Sequence, residues 1–266
     1  MLYLVVLSAA VAADPPALTA GPVEPVAEDL KFTEGPLWLP AGELVFSDIP
    51  ADTIYRGDGT VFRTPSGKSN GLTLDRQGRL IACEHWNRRV SRTAKDGAVT
   101  VLADRYQGKL LNSPNDVVVR SDSSIYFTDP PYGLEKRPAE LEFSGVYLLP
   151  PDGELRLVFD GFDRPNGLAF SPDEKTLYIG DSGASIIHAF DVAADGTLSN
   201  GHLFCECPGP DGMKVDQRGR LWTSASDGIR IYGPDGAHLE TVAFPLQPTN
   251  CAFGGPDSKT LFVTAR

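Results

Sequence analysis

One local pattern recurs six times along the chain: a turn rich in Asp, Gly, Ser or Pro, followed by an apolar strand. It reads AGELVFSD around Leu44, DRQGRLIAC around Leu80, SDSSIYFTD around Ile125, SPDEKTLYIGD around Leu177, DQRGRLWTS around Leu221 and GPDSKTLFVTA around Leu261. These anchors lie 36, 45, 52, 44 and 40 residues apart. A period of this length, with no helical periodicity between anchors, specifies propeller blades of about four strands each. Helical solenoids have similar periods, but alternating Thr, Val, Tyr and Phe suits a pleated sheet better. Glycine and proline, 27 and 22 residues, agree with many short strands joined by turns. They are interspersed with strand-like runs, which argues against disorder. The expected fold is all-β, a six-bladed β-propeller.

Within the first repeat the strands can be placed at residues 35–39, 43–47, 53–56 and 60–63, with Asp58-Gly59 as the hairpin turn between the last two. No linker divides the repeats, so residues 22–266 read as a single domain. The sixth repeat ends at Arg266 after only two strands, so the last blade is incomplete at the C-terminus. Residues 22–32 are the candidate outer strand of that blade, since propellers close by letting one terminus complete a blade begun by the other. One strand is still wanting on this reading.

Residues 1–13 differ from the rest. The apolar run 2–11 has the length of a signal-peptide core, and Ala10-Val11-Ala12 fits a cleavage site, although no Lys or Arg precedes Lys31. The run is too short to span a bilayer. The expectation is a signal peptide with export to the periplasm or beyond, or else a disordered tail on a cytoplasmic protein. Four cysteines are too few for a disulfide scaffold, and Cys205 and Cys207 stand too close for an unstrained bridge. All four are expected as buried thiols. The net charge of −11 comes with no basic stripe, which excludes a nucleic-acid partner.

Ten residues before Leu44, Leu80, Ile125 and Leu221 stand Glu34, Asn70, Asn115 and Asp211. Eleven before Leu177 and Leu261, whose turns are one residue longer, stand Asn166 and Asn250. Equivalent positions in a propeller are related by rotation about its axis, so these six side chains would point at one spot. Any one Asn-Gly pair taken alone is a turn former. The shared register in six repeats instead suggests an all-oxygen cage for a hard divalent cation, calcium first, with Zn2+, Mg2+ or Mn2+ as alternatives. Two carboxylates, Glu34 and Asp211, would balance the charge.

At these residues the chain resembles the regucalcin/gluconolactonase group of six-bladed propellers, metal-dependent hydrolases of sugar and other lactones. The resemblance is carried by Glu34-Gly35-Pro36-Leu37-Trp38, Ser113-Pro114-Asn115-Asp116, Pro165-Asn166-Gly167-Leu168 and Pro210-Asp211-Gly212-Met213. It implies a metal held by Glu34, Asn166 and Asp211, with Asn115 as a further ligand or substrate contact, and Asp211 as general acid/base. Where the group often has His-Gly-Asn-Arg-Arg, this chain has His85-Trp86-Asn87-Arg88-Arg89, and Trp86 is expected to narrow the mouth.

The chemistry also follows from the residues. A cation on the axis can polarise a lactone carbonyl, while Asp211 takes a proton from water and returns it to the ring oxygen. Asn70, Asn115, His85 and Tyr132 are the candidate substrate contacts for a small-molecule lactone, although a lone strand His is structural as often. Residues 129–133 form either a rigid lid or a plain connection, Arg88 and Arg89 read as surface residues, and the charged insert 134–143 belongs at the rim. The chain is expected to act as a monomer. Competing readings are a phosphoester or other ester hydrolase using the same site, and a non-catalytic calcium-binding propeller.

Overall fold

The computed structural model describes residues 1–6, 18, 21–151 and 153–266. The turn-then-strand repeat becomes six antiparallel four-stranded sheets, and no α-helix occurs among the described residues. Blade one runs outward from the axis as Thr33–Leu39, Glu43–Asp48, Thr53–Arg56 and Val61–Arg63, within two residues of the expected limits. Blades two to five follow the same order, with innermost strands Ser69–Leu74, Val117–Val119, Pro165–Phe170 and Met213–Val215. A small ribbon, Arg105–Tyr106 with Lys109–Leu110, joins blade two to blade three.

Each repeat anchor lies in the second strand of its blade, where both faces are covered. The reason is the stacking of blades face to face. Leu80, Leu177, Leu221 and Leu261 are buried there, each contributing on the order of 1.5–3 kcal/mol. Burial falls off outward, and Val99–Ala103 and His238–Val242 are largely exposed edge strands. Among the described residues the apolar core divides into six clusters, one at each interface between neighbouring blades. Phe127 and Tyr147 of blade three, for example, pack against Ile81, Cys83 and Val90 of blade two. All four cysteines are free and buried.

Blade six has Pro248–Gly254 innermost and Thr260–Ala265 second, so the C-terminal end supplies two strands, as expected. The outer strand is Glu24–Ala27, within the expected 22–32. The strand thought wanting is present: Leu2–Val6 pairs antiparallel with Thr260–Ala265 on one side and Glu24–Ala27 on the other. All five of its residues belong to the segment 1–13 expected as a leader or tail. Leu2 is buried with Phe262, Leu44 and Phe46, at the seam between blades six and one. A short continuous apolar strand and the start of a signal-peptide core look alike over so few residues, which is why the sequence pattern did not separate them. The cleavage-site residues Ala10 to Ala12 lie outside the described residues. No helix among the described residues is long and apolar enough to cross a membrane.

Candidate functional site

The Asn-Gly pairs are not turns. Glu34-Gly35, Asn70-Gly71 and Asn166-Gly167 lie inside innermost strands, each at a break in register with the second strand. Such bulges re-aim a side chain, here toward the axis. The glycine that follows is needed for close approach. A Cβ on Gly35 would lie 2.2 Å from the Asn70 carbonyl oxygen, and one on Gly167 would lie 2.2 Å from that of Asp211. Each glycine therefore lets the next blade's ring residue sit against it. Gly167→Ala should force that backbone apart, costing about 1–3 kcal/mol of stability in denaturant titration. Native stability would contradict this account.

Hydroxyls on the second strands or just after them tie the ring together. Ser47 donates to the Asn70 carbonyl at 2.9 Å, Thr128 to that of Asn166 at 2.7 Å, and Ser182 to that of Pro210 at 2.6 Å. Carboxylates at the strand ends fix the loops that lead inward. Asp48 accepts from the Lys31 N–H, Asp129 from Asn112, and Asp181 from Asp163 and Arg164.

A cavity of about 630 Å3 gathers five of the six expected ring residues, Glu34, Asn70, Asn115, Asn166 and Asp211, together with His85 and Tyr132. Asn250 is the exception. Its Oδ1 accepts from the Cys251 N–H at 2.8 Å and its Nδ2 donates to Glu34 Oε2 at 3.2 Å. Its oxygen is occupied, so Asn250 orients Glu34 rather than completing a six-oxygen cage. Ring symmetry placed the residue correctly but could not show which way its amide is committed.

Glu34, buried, and Asp211, half-buried, have no ion-pair partner within 4 Å among the described residues, and the buried carboxylate Asp116 stands close enough to act on both. Burial raises the Glu34 carboxyl well above the usual range, reinforced by Asp211 and Asp116. Burial also raises Asp211, with Arg266 opposing, and raises Asp116, with Lys214 opposing. Asp116 follows Asn115 where four other blades place glycine or, in blade six, cysteine is found, so its side chain enters the axis instead of leaving room. Its Oδ2 has no hydrogen-bond partner, and neither has Asn70 Oδ1. Orphaned buried oxygens beside uncompensated carboxylates are costly unless something positive is bound. No group of three or more His, Cys, Asp or Glu is arranged to hold a metal ion among the described residues. A cation here would need the amide oxygens of Asn115 and Asn166 as well as Glu34 and Asp211, a donor set suited to calcium.

His85 is buried and its pKa is lowered to about 4, chiefly by burial and then by Arg137 and Lys68. The ring is neutral near pH 7. Its Nε2 lies 3.3 Å from Asn70 Nδ2 and accepts from it, which leaves Asn70 Oδ1 buried without a partner. Residues 129–133 are a pinned wall rather than a lid. Ser113 Oγ donates to the Pro130 carbonyl and accepts from the Gly133 N–H, and a Cβ on Gly133 would meet His85 at 2.5 Å.

Two expectations need correcting. Trp86 is exposed and does not line the cavity. It lies against Lys68 and Arg137 at the rim, with Lys68 Nζ 4.9 Å and the Arg137 guanidinium 4.4 Å from its ring centroid. Arg88 is buried, its Nε donating to the Leu111 carbonyl at 2.5 Å, while Arg89 pairs with Glu84. A run of two arginines resembles a solvated surface until the carbonyls it must satisfy are seen. The insert 134–143 does reach the rim, where Glu135 pairs with Lys68 at 2.6 Å. Sequence reasoning also missed Asp116 and the cavity residues Lys68, Arg164, Ser182, Gln247 and Arg266. Of these only Asp116 carried a signal, as the acid at a position otherwise small.

The profile of the SMP-30/Gluconolactonase/LRE-like region matches residues 32–266. A gluconolactonase of Zymomonas mobilis is 35% identical, over 92% of this chain and 79% of its own length. A regucalcin of Xenopus laevis is 32% identical, over 90% and 85%. Among solved structures, a gluconolactonase from Xanthomonas campestris superimposes with a TM-score of 0.80 at 39% identity, covering 89% of this chain and 86% of the other. With the matched profile covering the innermost strand of every blade and all six ring residues, the chain belongs to the SMP-30/gluconolactonase/LRE-like family.

Proposed function

We propose that this chain is a metal-dependent hydrolase that opens a sugar lactone or similar lactone, with one divalent cation, calcium first, held by Glu34, Asn115, Asn166 and Asp211. The observation that carries it is the convergence of Glu34 and Asp211, without ion-pair partners, with the amides of Asn115 and Asn166 in a cavity large enough for a sugar ring. Kinship with gluconolactonases supports the substrate class. When bound, the cation supplies positive charge that polarises the ester carbonyl and stabilises the developing oxyanion.

The protein's own groups do the rest. Asp211 accepts a proton from the attacking water at a carboxylate oxygen and returns it to the ring oxygen as the C–O bond breaks. Asn115 and Asn70 orient the substrate hydroxyls, the latter with its amide held by His85. Tyr132 forms the wall against which the sugar face rests. The buried floor around Glu34 and Asp116 lowers the local dielectric in which the Asp211 carboxylate acts.

The test is metal analysis of purified protein followed by hydrolysis assays on aldonolactones and organophosphate esters, before and after chelation. The expected result is about one tightly bound divalent ion and lactone hydrolysis lost on chelation and restored by calcium. Full activity in metal-free protein would overturn the metal, turnover of esters alone would favour the phosphoesterase, and metal binding without turnover would favour a binding propeller.

A further inference from the structure

The cavity holds a cation that the hydrolytic scheme does not use. Arg164 lines it directly before the strand carrying Asn166. Its backbone N–H is fixed by Asp181 at 3.0 Å, so the base of the side chain is set. Its guanidinium lies 6.0 Å from the centroid of the Tyr132 ring and makes no hydrogen bond or ion pair among the described residues. In an acidic chain this is unusual, and most other arginines are taken up. Arg56, Arg63, Arg76, Arg79, Arg89 and Arg220 are each paired with a carboxylate. The other cations lining the cavity are also engaged: Lys68 by Glu135, and Arg266 by Gln247 Oε1 at 3.0 Å.

We infer that Arg164 is a specificity residue for a lactone carrying a second acidic group, a carboxylate or phosphate, at the end remote from the ring ester. A guanidinium presents two parallel N–H donors matched to either group, and partial desolvation in a cavity strengthens the pair. Arg164 is exposed, so water meets its donors until a ligand replaces it, and its fixed positive charge favours an anionic group over a neutral polyol, which asks for acceptors as well as donors. The floor is rich in carboxylates, so an anionic substrate needs an opposing charge near the mouth to enter. Arg164 supplies it, and Tyr132 beneath offers a flat face for the sugar. The inference rests on the lactone-hydrolase reading and narrows its substrate class.

The experiment compares steady-state hydrolysis of D-glucono-lactone, a glucaric acid monolactone and the 6-phosphate of gluconolactone, for wild type, Arg164→Gln and Arg164→Lys, all calcium-loaded. Wild type should favour one or both acidic lactones. Arg164→Gln should raise their KM about ten- to hundredfold, with kcat little changed and the neutral lactone affected less than about threefold. Arg164→Lys should recover part of the loss. The relative effect on the carboxylate and the phosphate identifies the group recognised. Equal treatment of neutral and acidic lactones by wild type, or an equal loss on all three in Arg164→Gln, would overturn the inference and leave Arg164 serving the carboxylate that every lactone releases. Should no lactone be turned over, the hydrolase reading itself fails. Calorimetry with open-chain glucarate and gluconate then decides the charge preference: a glucarate-selective loss in Arg164→Gln upholds it, and an equal loss refutes it.

Discussion

Calcium-loaded Asp211→Asn protein should turn over lactone about two to four orders of magnitude more slowly than wild type, the usual effect of losing a positioned proton relay. Asparagine keeps an oxygen toward the cation and nearly the same volume, so the fold and a weakened metal site persist while the base is gone. The loss should appear in kcat rather than KM, because the proton moves only as the tetrahedral intermediate forms and collapses. Asn115→Ala should cost less and act more through KM. The measurement is hydrolysis at saturating calcium with metal content determined for each variant. Near-native turnover by a fully loaded Asp211→Asn protein would move the base elsewhere. His85 is then the next candidate, and to act its Nε2 would have to give up the Asn70 amide.

Glu34→Gln should separate metal affinity from stability in opposite directions. Removing one of two ligand carboxylates lowers the charge facing the cation, and calcium affinity should fall by about two orders of magnitude. Stability of the chelated protein should rise. Burial, Asp211 and Asp116 all raise the Glu34 carboxyl, so its ionisation is harder in the folded chain than in the unfolded one. The wild-type contribution is fully present below the unfolded pKa and is lost as pH rises through the raised folded value. Glutamine has no proton to lose. The chelated variant should therefore melt higher than chelated wild type at pH 8, with the gap closing toward pH 4. A lower melting temperature at pH 8, or unchanged calcium binding, would contradict the reading of Glu34 as an uncompensated ligand.

The fold was legible because a propeller repeats itself, and each repeat states the same register independently. Blade one could be drawn almost strand by strand from its turn residues, and the ring positions followed from counting back to Glu34, Asn70, Asn115, Asn166 and Asp211. What counting could not supply was the commitment of each side chain. Asn250 obeys the register yet spends its oxygen on the Cys251 backbone. Arg88 and Arg89 are adjacent in sequence but one is buried against carbonyls and the other faces Glu84. Arg164 lies two residues before a ring position, where nothing in the periodicity distinguishes a cavity cation from a solvated one. Leu2–Val6 was hidden because its partner strand is at the opposite end of the chain, and strand pairing over such a distance leaves no local trace. Trp86 was read through a neighbouring family pattern, which indicates that a residue changes but not which way the new side chain turns.

The ring is stitched from blade to blade by backbone contacts, and its seam joins Asn250 to Glu34 and the Thr249 hydroxyl to the Thr33 carbonyl. Ligands proposed for one cation thus come from the first, third, fourth and fifth blades, and the first of them is oriented by the sixth. During synthesis Glu34 emerges early and must wait for nearly the entire chain before the group that aligns it exists. If the proposed cation is bound, its retention would report closure of the circle. A molecule with five blades stacked and the circle open would hold the ion loosely, and only the closed circle would retain it through dilution or gel filtration.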